Sequence, residues 1–168
     1  DAEMSLDQYE DFVYNACLPD MENPIAYWKG VETQQQKVVD FLDKAKTLRV
    51  EAPDVDLQMS IEGRTFVNCC GQRNMPDGEV FTGPVEDTVE GHVRFSYPTT
   101  YQRRKLERVP LPFEKGKVVK AAADKGEDFL LKTIDTDEGA RFVGEFAIGT
   151  NAGVTQATGN TLFDEKIG

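Results

Sequence analysis

The chain has 168 residues, of which 30 are acidic and 19 are basic, so its formal net charge is −11 at neutral pH. This length is typical of one domain, or of one domain with part of another. The acidity opposes nonspecific binding to nucleic-acid phosphates and to anionic lipid. A single histidine excludes HExxH and three-histidine zinc sites, and no apolar run approaches the ~20 residues of a membrane span.

The ends of the sequence and its cysteines indicate an excised piece of a cytoplasmic protein. Residue 1 is aspartate, no secretory apolar segment follows it, and residues 162–168 resemble a hydrophobic element that is cut short. The cysteines number three, Cys69 and Cys70 are neighbours, and no CxxC spacing occurs. We therefore expect free thiols in a reducing compartment.

Two helices are predicted at the start of the chain. Residues 5–17 open with a capping-box pattern, carry apolar side chains at helical spacing, and stop at Pro19. Residues 23–24 combine an asparagine N-cap with a proline at the first helical position, and the second helix continues to about Lys46. The polar residues 33–37 allow a break in it, although an unbroken helix is favoured.

The pattern then changes to that of strands. Residues 55–61 alternate between apolar and polar side chains, which indicates a half-buried strand. A turn at residues 62–63 is expected to return the chain as a second strand over 65–67. Asparagine, proline, aspartate and glycine mark a loop at residues 74–78, and a further strand ends at Pro98.

A hairpin, a helix and a strand follow. Gly116 suits a left-handed turn between strands 106–113 and 117–123. Residues 124–127 carry a capping-box pattern ahead of an apolar helical face, and residues 142–148 are typical of a buried strand. The order predicts an α+β fold, with N-terminal helices followed by a mixed or antiparallel, hairpin-rich sheet with packed helices.

Three glutamates have neighbours that are unusual for surface carboxylates. Glu79 lies between a turn and an apolar stretch, and Glu145 has apolar residues on both sides. Glu165 follows a leucine, a phenylalanine and an aspartate at residues 162–164. Burying a carboxylate is costly unless it is paired or bound to a metal. The residues alone leave two interpretations open. The three glutamates are either ordinary carboxylates that face solvent or an arginine such as Arg141, as most do, or they are metal ligands. Carboxylate-rich metal sites normally include histidine as well.

Other kinds of chemistry find little support in the sequence. His92 is expected to be a surface or core group of a strand. Ser60 and Ser96 lack a GxSxG context, and neither a P-loop lysine nor a GxGxxG unit is present. The basic residues 103–105 are interpreted as a solvated patch or as ion-pair partners.

Four stretches of the sequence occur in a characteristic order and at characteristic separations. They are residues 74–84 followed by residues 90–91, residues 126–141, residues 144–151 and residues 159–168. Together they resemble the thermophilic aminopeptidase family (aminopeptidase T, AmpS and PepS), and the resemblance covers essentially the whole chain.

The resemblance implies a two-domain, α/β plus α+β metallopeptidase that releases N-terminal amino acids from peptides. It also implies two divalent metal ions, Zn or Co, with Mn and Mg as alternatives. Glu79 matches a glutamate ligand of one metal, Glu145 matches the catalytic glutamate that contacts both metals, and Glu165 matches a further glutamate at the site. Residues 1–48 would form the helical end of the N-terminal domain or the junction, and residues 49–168 the first part of the metal-binding catalytic domain.

The resemblance further implies a homodimer that acts on peptides in the cytoplasm. The family's histidine ligands, its His-x-Asp pair and a tyrosine near the metals follow the point where this sequence stops, and His92 matches none of them. We therefore expect the 168-residue chain to bind metal weakly or not at all and to be inactive. The competing hypothesis is a non-catalytic, acidic α+β binding or interaction module.

Overall fold

The computed structural model describes residues 3–18 and 22–168 and confirms the α+β class. The predicted helix stop at Pro19 lies outside the described residues. The α-helices within the described residues are α1 (Leu6–Cys17), α2 (Pro24–Leu42), α3 (Glu127–Ile134) and α4 (Thr161–Asp164). None of these helices is both long enough and apolar enough to cross a membrane.

The β-strands within the same described residues are, in chain order, β1 (Thr47–Ala52), β2 (Val55–Ser60), β3 (Val67–Cys69), β4 (Glu79–Thr82), β5 (Glu90–Phe95), β6 (Thr99–Tyr101), β7 (Arg104–Leu106), β8 (Val109–Glu114), β9 (Lys117–Val118) and β10 (Phe146–Gly149). The chain divides into two compact units. The first unit comprises Asp1–Lys44, Thr65–Thr82 and Ala147–Gly168, and the second comprises Ala45–Arg64 and Gly83–Phe146.

Helix α1 begins where the sequence predicts. The Ser5 side chain accepts a hydrogen bond from the Gln8 backbone N–H (3.2 Å), and the Gln8 side chain accepts one from the Ser5 N–H (2.9 Å). This capping box satisfies two N–H groups that the helix itself leaves without partners. Phe12 and Ala16 on the buried face of α1 form a core cluster with Val154 from the end of the chain.

Helix α2 also begins as predicted, because the Asn23 side chain accepts a hydrogen bond from the Ala26 N–H (3.1 Å). The helix is unbroken and ends at Leu42 rather than near Lys46. The indole N–H of Trp28 donates to the Cys17 carbonyl (2.8 Å), which fixes α2 against the end of α1.

The predicted hairpin of residues 55–61 with residues 65–67 is wrong. Strand β2 pairs with β1 on one edge and β5 on the other, so neither edge is left for a returning strand. Strand β3 pairs instead with β4, in a three-stranded sheet of order β10-β4-β3. Strand β1 was missed by the sequence analysis, although its residues Thr47–Ala52 alternate between polar and apolar side chains as a half-buried strand does.

The second unit is built on an antiparallel sheet of order β1-β2-β5-β8-β9. The turn between β8 and β9 contains Gly116 in a left-handed conformation (φ 81°), as predicted. Helix α3 is confirmed, but its capping box is wrong: the N-cap residue is Gly126, without a side-chain cap. The Asp124 carboxylate pairs with the Arg108 guanidinium instead (3.1 Å).

The pairing of β2 with β5 depends on a glycine at position 91. Gly91 has a φ of 109°, a conformation that side chains other than that of glycine rarely adopt. A Cβ atom at this position would lie 2.0 Å from the carbonyl oxygen of Asp56 on the neighbouring strand. The close approach of the two backbones therefore excludes any side chain here.

We predict that Gly91→Ala lowers the free energy of unfolding by about 2 kcal/mol or more, through backbone strain and separation of the two strands. The matched control is Gly144→Ala in the same unit, where a Cβ would meet nothing within 4 Å and φ is not left-handed. Urea denaturation should place the control within about 0.5 kcal/mol of the unmodified chain. Equal midpoints for the two variants would contradict the prediction.

Candidate metal centre

Glu79 is the first residue of strand β4, and only 6% of its surface is exposed. The backbone around it is held from several directions. The carbonyl oxygens of residues 77, 78 and 79 accept hydrogen bonds, in that order, from the Asn151 side-chain amide (2.8 Å), the Thr150 backbone N–H (2.9 Å) and the Gln35 side-chain amide (2.9 Å). The direction in which the Glu79 carboxylate leaves the backbone is therefore fixed by three separate donors.

Gln35 on helix α2 connects the elements that carry Glu79. Besides the Glu79 carbonyl, its amide nitrogen donates to the Asn68 side chain (2.8 Å) and the Cys69 carbonyl (3.0 Å), both on strand β3. Its amide oxygen accepts from the Thr150 hydroxyl (2.9 Å). Only 2% of Gln35 is exposed, so these bonds form away from water and hold the strands against the helix.

Glu165 directly follows helix α4, whose ends are fixed by local hydrogen bonds. The Asn160 side chain caps the helix by accepting from the Leu162 N–H (3.1 Å). The Asp164 carboxylate accepts from the N–H groups of Thr158 (2.7 Å) and Gly159 (2.9 Å). This short helix thus determines where Glu165 and the residue after it lie.

The ammonium group of Lys166 joins two of the three predicted site residues. Its Nζ lies 2.5 Å from Glu165 Oε1 and 3.3 Å from Glu79 Oε1, and only 1% of the side chain is exposed. Burial alone would lower the pKa of Lys166, but the hydrogen bond that Lys166 donates to Glu165 and the negative charge of Glu79 outweigh it and raise that pKa. Lys166 therefore stays charged at neutral pH and partly balances the two carboxylates.

Glu145 is placed differently from the sequence expectation. The predicted strand over residues 142–148 is shorter, because β10 begins at Phe146, and Glu145 lies just before it with an exposed side chain. It belongs to the second unit, whereas Glu79 and Glu165 belong to the first. The structure thus brings Glu79 and Glu165 together at Lys166, and the metal-binding and catalytic role of Glu145 stays a prediction.

Two contributors to the site were missed by sequence reasoning. Gln35 lies within the polar residues 33–37, which the sequence pattern marks only as a place that allows a break in the helix. Lys166 follows Glu165 in the chain, and no local pattern distinguishes a buried lysine from an exposed one. The sequence did contain a partial indication that Lys166 is buried, because Lys166 lies between the apolar residues Phe163 and Ile167. Both of these pack against the core cluster of α1.

The donor atoms in the first unit suit a divalent cation. Glu79 and Glu165 each offer a carboxylate oxygen, and these two oxygens lie within 4.8 Å of each other. The ammonium group of Lys166 lies beside both carboxylates. Carboxylates bind Zn, Mn, Mg and Co, and they are retained inside proteins where a cation compensates them. The residues present therefore fit the carboxylate part of a metal centre.

The chain belongs to the thermophilic metalloprotease (M29) family, whose model matches residues 1–168. Among individual proteins it is similar to aminopeptidase T of Thermus aquaticus, with 34% identity over 92% of this chain and 41% of the relative. It is also 33% identical to aminopeptidase AmpS of Bacillus subtilis, over 92% of this chain and 41% of that protein. The chain thus spans about two fifths of the length of these relatives.

Two solved structures share the fold. Wild-type AmpT from Thermus thermophilus superposes with a TM-score of 0.81 at 32% identity, over 95% of this chain and 43% of the other. A 2,5-dihydroxypyridine dioxygenase from Pseudomonas putida matches with a TM-score of 0.64 at 16% identity, over 82% of this chain and 46% of the other. The second match shows the fold alone, because fold similarity at such low identity does not establish function.

We predict that Lys166→Met lowers the free energy of unfolding by about 3–5 kcal/mol, because it leaves the buried carboxylate of Glu79 without its compensating charge. The control is Lys46→Met, which removes the ammonium of a solvent-exposed pair with Glu62 (2.6 Å). Solvent-exposed ion pairs contribute little to folding stability, so the control should unfold at the same urea concentration as the unmodified chain. The prediction fails if both variants unfold at the same urea concentration.

Proposed function

We propose that this chain forms part of a metal-dependent aminopeptidase that removes N-terminal amino acids from peptides. The observation that carries the proposal is the pair of carboxylates formed by the buried Glu79 and the half-buried Glu165, joined at Lys166 in a chain of the M29 family. The relatives with assigned names, aminopeptidase T and AmpS among them, support the aminopeptidase class. A carboxylate site of this kind suits the hydrolysis of a peptide bond by a metal-activated water.

The proposed activity is that of a protein of the relatives' length that contains this chain. Within it, we propose that residues 1–48 belong to the end of the N-terminal domain or the junction, and residues 49–168 to the first part of the catalytic domain. The same proposal includes a homodimer in the cytoplasm that acts on peptide substrates.

The proposed ligands are Glu79, Glu145 and Glu165, with Glu145 contacting both of two divalent metal ions. Zn and Co are the proposed metals, and Mn and Mg are the alternatives. When bound, such a metal pair polarises the scissile carbonyl and lowers the pKa of a water molecule that attacks it. Glu79 and Glu165 have support from the structure of the first unit, whereas Glu145 has support from the resemblance of residues 144–151 to the family.

The chain's own residues contribute positioning and charge. Gln35 and Asn151 hold the backbone around Glu79, so that its carboxylate has a defined position before any ligand arrives. Lys166 supplies a positive charge beside Glu79 and Glu165, which lowers the repulsion between these carboxylates. Preorganisation of this kind reduces the free energy needed to assemble the site.

We predict that the 168-residue chain hydrolyses an aminoacyl-nitroanilide at a negligible rate, even with added Co²⁺ or Zn²⁺. The reason is that it contains one histidine, His92, while the resemblance places the family's imidazole ligands after residue 168. Release of nitroaniline is followed by absorbance, with a longer M29 aminopeptidase as the positive control. Robust turnover by the short chain would show that the catalytic ligands have been misassigned.

In a longer protein that contains this chain, we predict that Glu145→Ala lowers kcat/KM by at least about a hundredfold, because a bridging ligand is lost. Metal analysis of the purified variant should show the loss of bound metal. The control is Glu138→Ala, which removes an exposed carboxylate nearby in the chain and should leave activity and metal content unchanged. Full metal occupancy in Glu145→Ala would contradict the assignment.

A further inference from the structure

Cys69, Asp77 and Glu79 form a second group of metal-ligating side chains, entirely within the first unit. Each offers one ligand atom, and these atoms all lie within 4.8 Å of one another. The strands explain the arrangement: Cys69 on β3 is the cross-strand partner of Glu79 on β4, and such partners carry neighbouring side chains on one face. Asp77 comes two residues before Glu79, in the segment whose carbonyl groups are held by Asn151 and Gln35.

The Asp77 carboxylate gives an independent indication that a ligand binds here. Only 2% of Asp77 is exposed. Its Oδ2 accepts a hydrogen bond from the Gly71 N–H (2.7 Å), whereas its Oδ1 is buried and has no hydrogen-bond partner among the described residues. A buried carboxylate oxygen without a partner is costly, so a group that satisfies it is expected.

We propose that Cys69, Asp77 and Glu79 bind a borderline-soft divalent cation of the Zn²⁺ type through one thiolate and two carboxylate oxygens. The thiolate favours Zn²⁺, Co²⁺ or Cd²⁺ over Mg²⁺ and Ca²⁺, which prefer all-oxygen sites. Zn²⁺ binds sulfur at about 2.3 Å and carboxylate oxygen at about 2.0–2.2 Å, so the three side chains need to move only slightly to enclose it. Binding breaks the Cys69 S–H bond, the proton passes to solvent, and no electron is transferred.

This site shares Glu79 with the metal centre proposed above but differs from it in its other ligands. It requires neither Glu145 nor Glu165, and it adds a sulfur ligand that the proposed catalytic set lacks. Cys69 is partly exposed, which leaves one side of the cluster in contact with solvent. The sulfur ligand also gives the site its own spectroscopic signature, independent of any hydrolytic activity.

The test is a titration of the protein with Co²⁺ alone, followed by near-ultraviolet absorbance. A thiolate-to-cobalt charge-transfer band should appear in the unmodified protein and in the matched control Cys70→Ser, and it should be absent in Cys69→Ser. Asp77→Asn should weaken the apparent Co²⁺ affinity by about tenfold or more, a loss of the size that even outer-shell partners produce. The band should persist in Glu165→Gln, which separates this site from the proposed catalytic centre.

A second measurement uses the unmodified protein, so that it does not depend on whether the variants fold. Co²⁺ should slow the alkylation of Cys69 by iodoacetamide, located by mass spectrometry, while Cys17 serves as the internal control with an unchanged rate. The proposal is overturned if no charge-transfer band forms, if the band survives in Cys69→Ser, or if Co²⁺ leaves the alkylation of Cys69 unchanged. Each of these results would leave the aminopeptidase proposal untouched.

Discussion

The buried ammonium of Lys166 is the constraint on which the rest of the first unit depends. A charged group with 1% exposure is stable only where opposite charges surround it, so Glu79 and Glu165 must both lie beside it. This requirement holds the end of the chain against strands β4 and β10. The close packing shows at Gly149, where a Cβ would lie 2.1 Å from the carbonyl oxygen of Ile167.

Residues 77–79 of the first unit combine a firmly held backbone with anionic side chains, and a cation site requires both. The carbonyl oxygens of residues 77–79 are each bound by a different donor, and the carboxylates of Asp77 and Glu79 project from this fixed segment. Burial raises the pKa of the Cys69 thiol to about 11, with further contributions from the charges of Asp77 and Glu79. The Cys69 thiol therefore carries its proton at neutral pH, and a cation that binds the sulfur has to displace that proton.

Local sequence patterns predicted local structure well and long-range partners poorly. The capping box of α1, the start of α2 at residues 23–24 and the turn at Gly116 were correct, because each depends on neighbouring residues. The hairpin after β2 was wrong, because strand pairing is decided by which edges remain available in the folded chain. Glu79 and Glu165 were selected as candidates from their apolar neighbours and the family resemblance, and their metal-binding role stays a prediction. The burial of Lys166 depends on residues far away in the sequence. Nothing in the pattern of residues 33–37 indicated that Gln35 is buried.

The hydrogen bonds of Gln35 have a consequence for how this region moves. One side chain binds Asn68 and the carbonyl groups of Cys69 and Glu79, and it accepts from Thr150 as well. Helix α2 cannot separate from the strands one bond at a time, because the departure of this single amide breaks its bonds to all four partners together. Local opening of the helix and of the sheet beside it is therefore a single cooperative event. The position of the Glu79 carboxylate is lost only when that whole assembly opens.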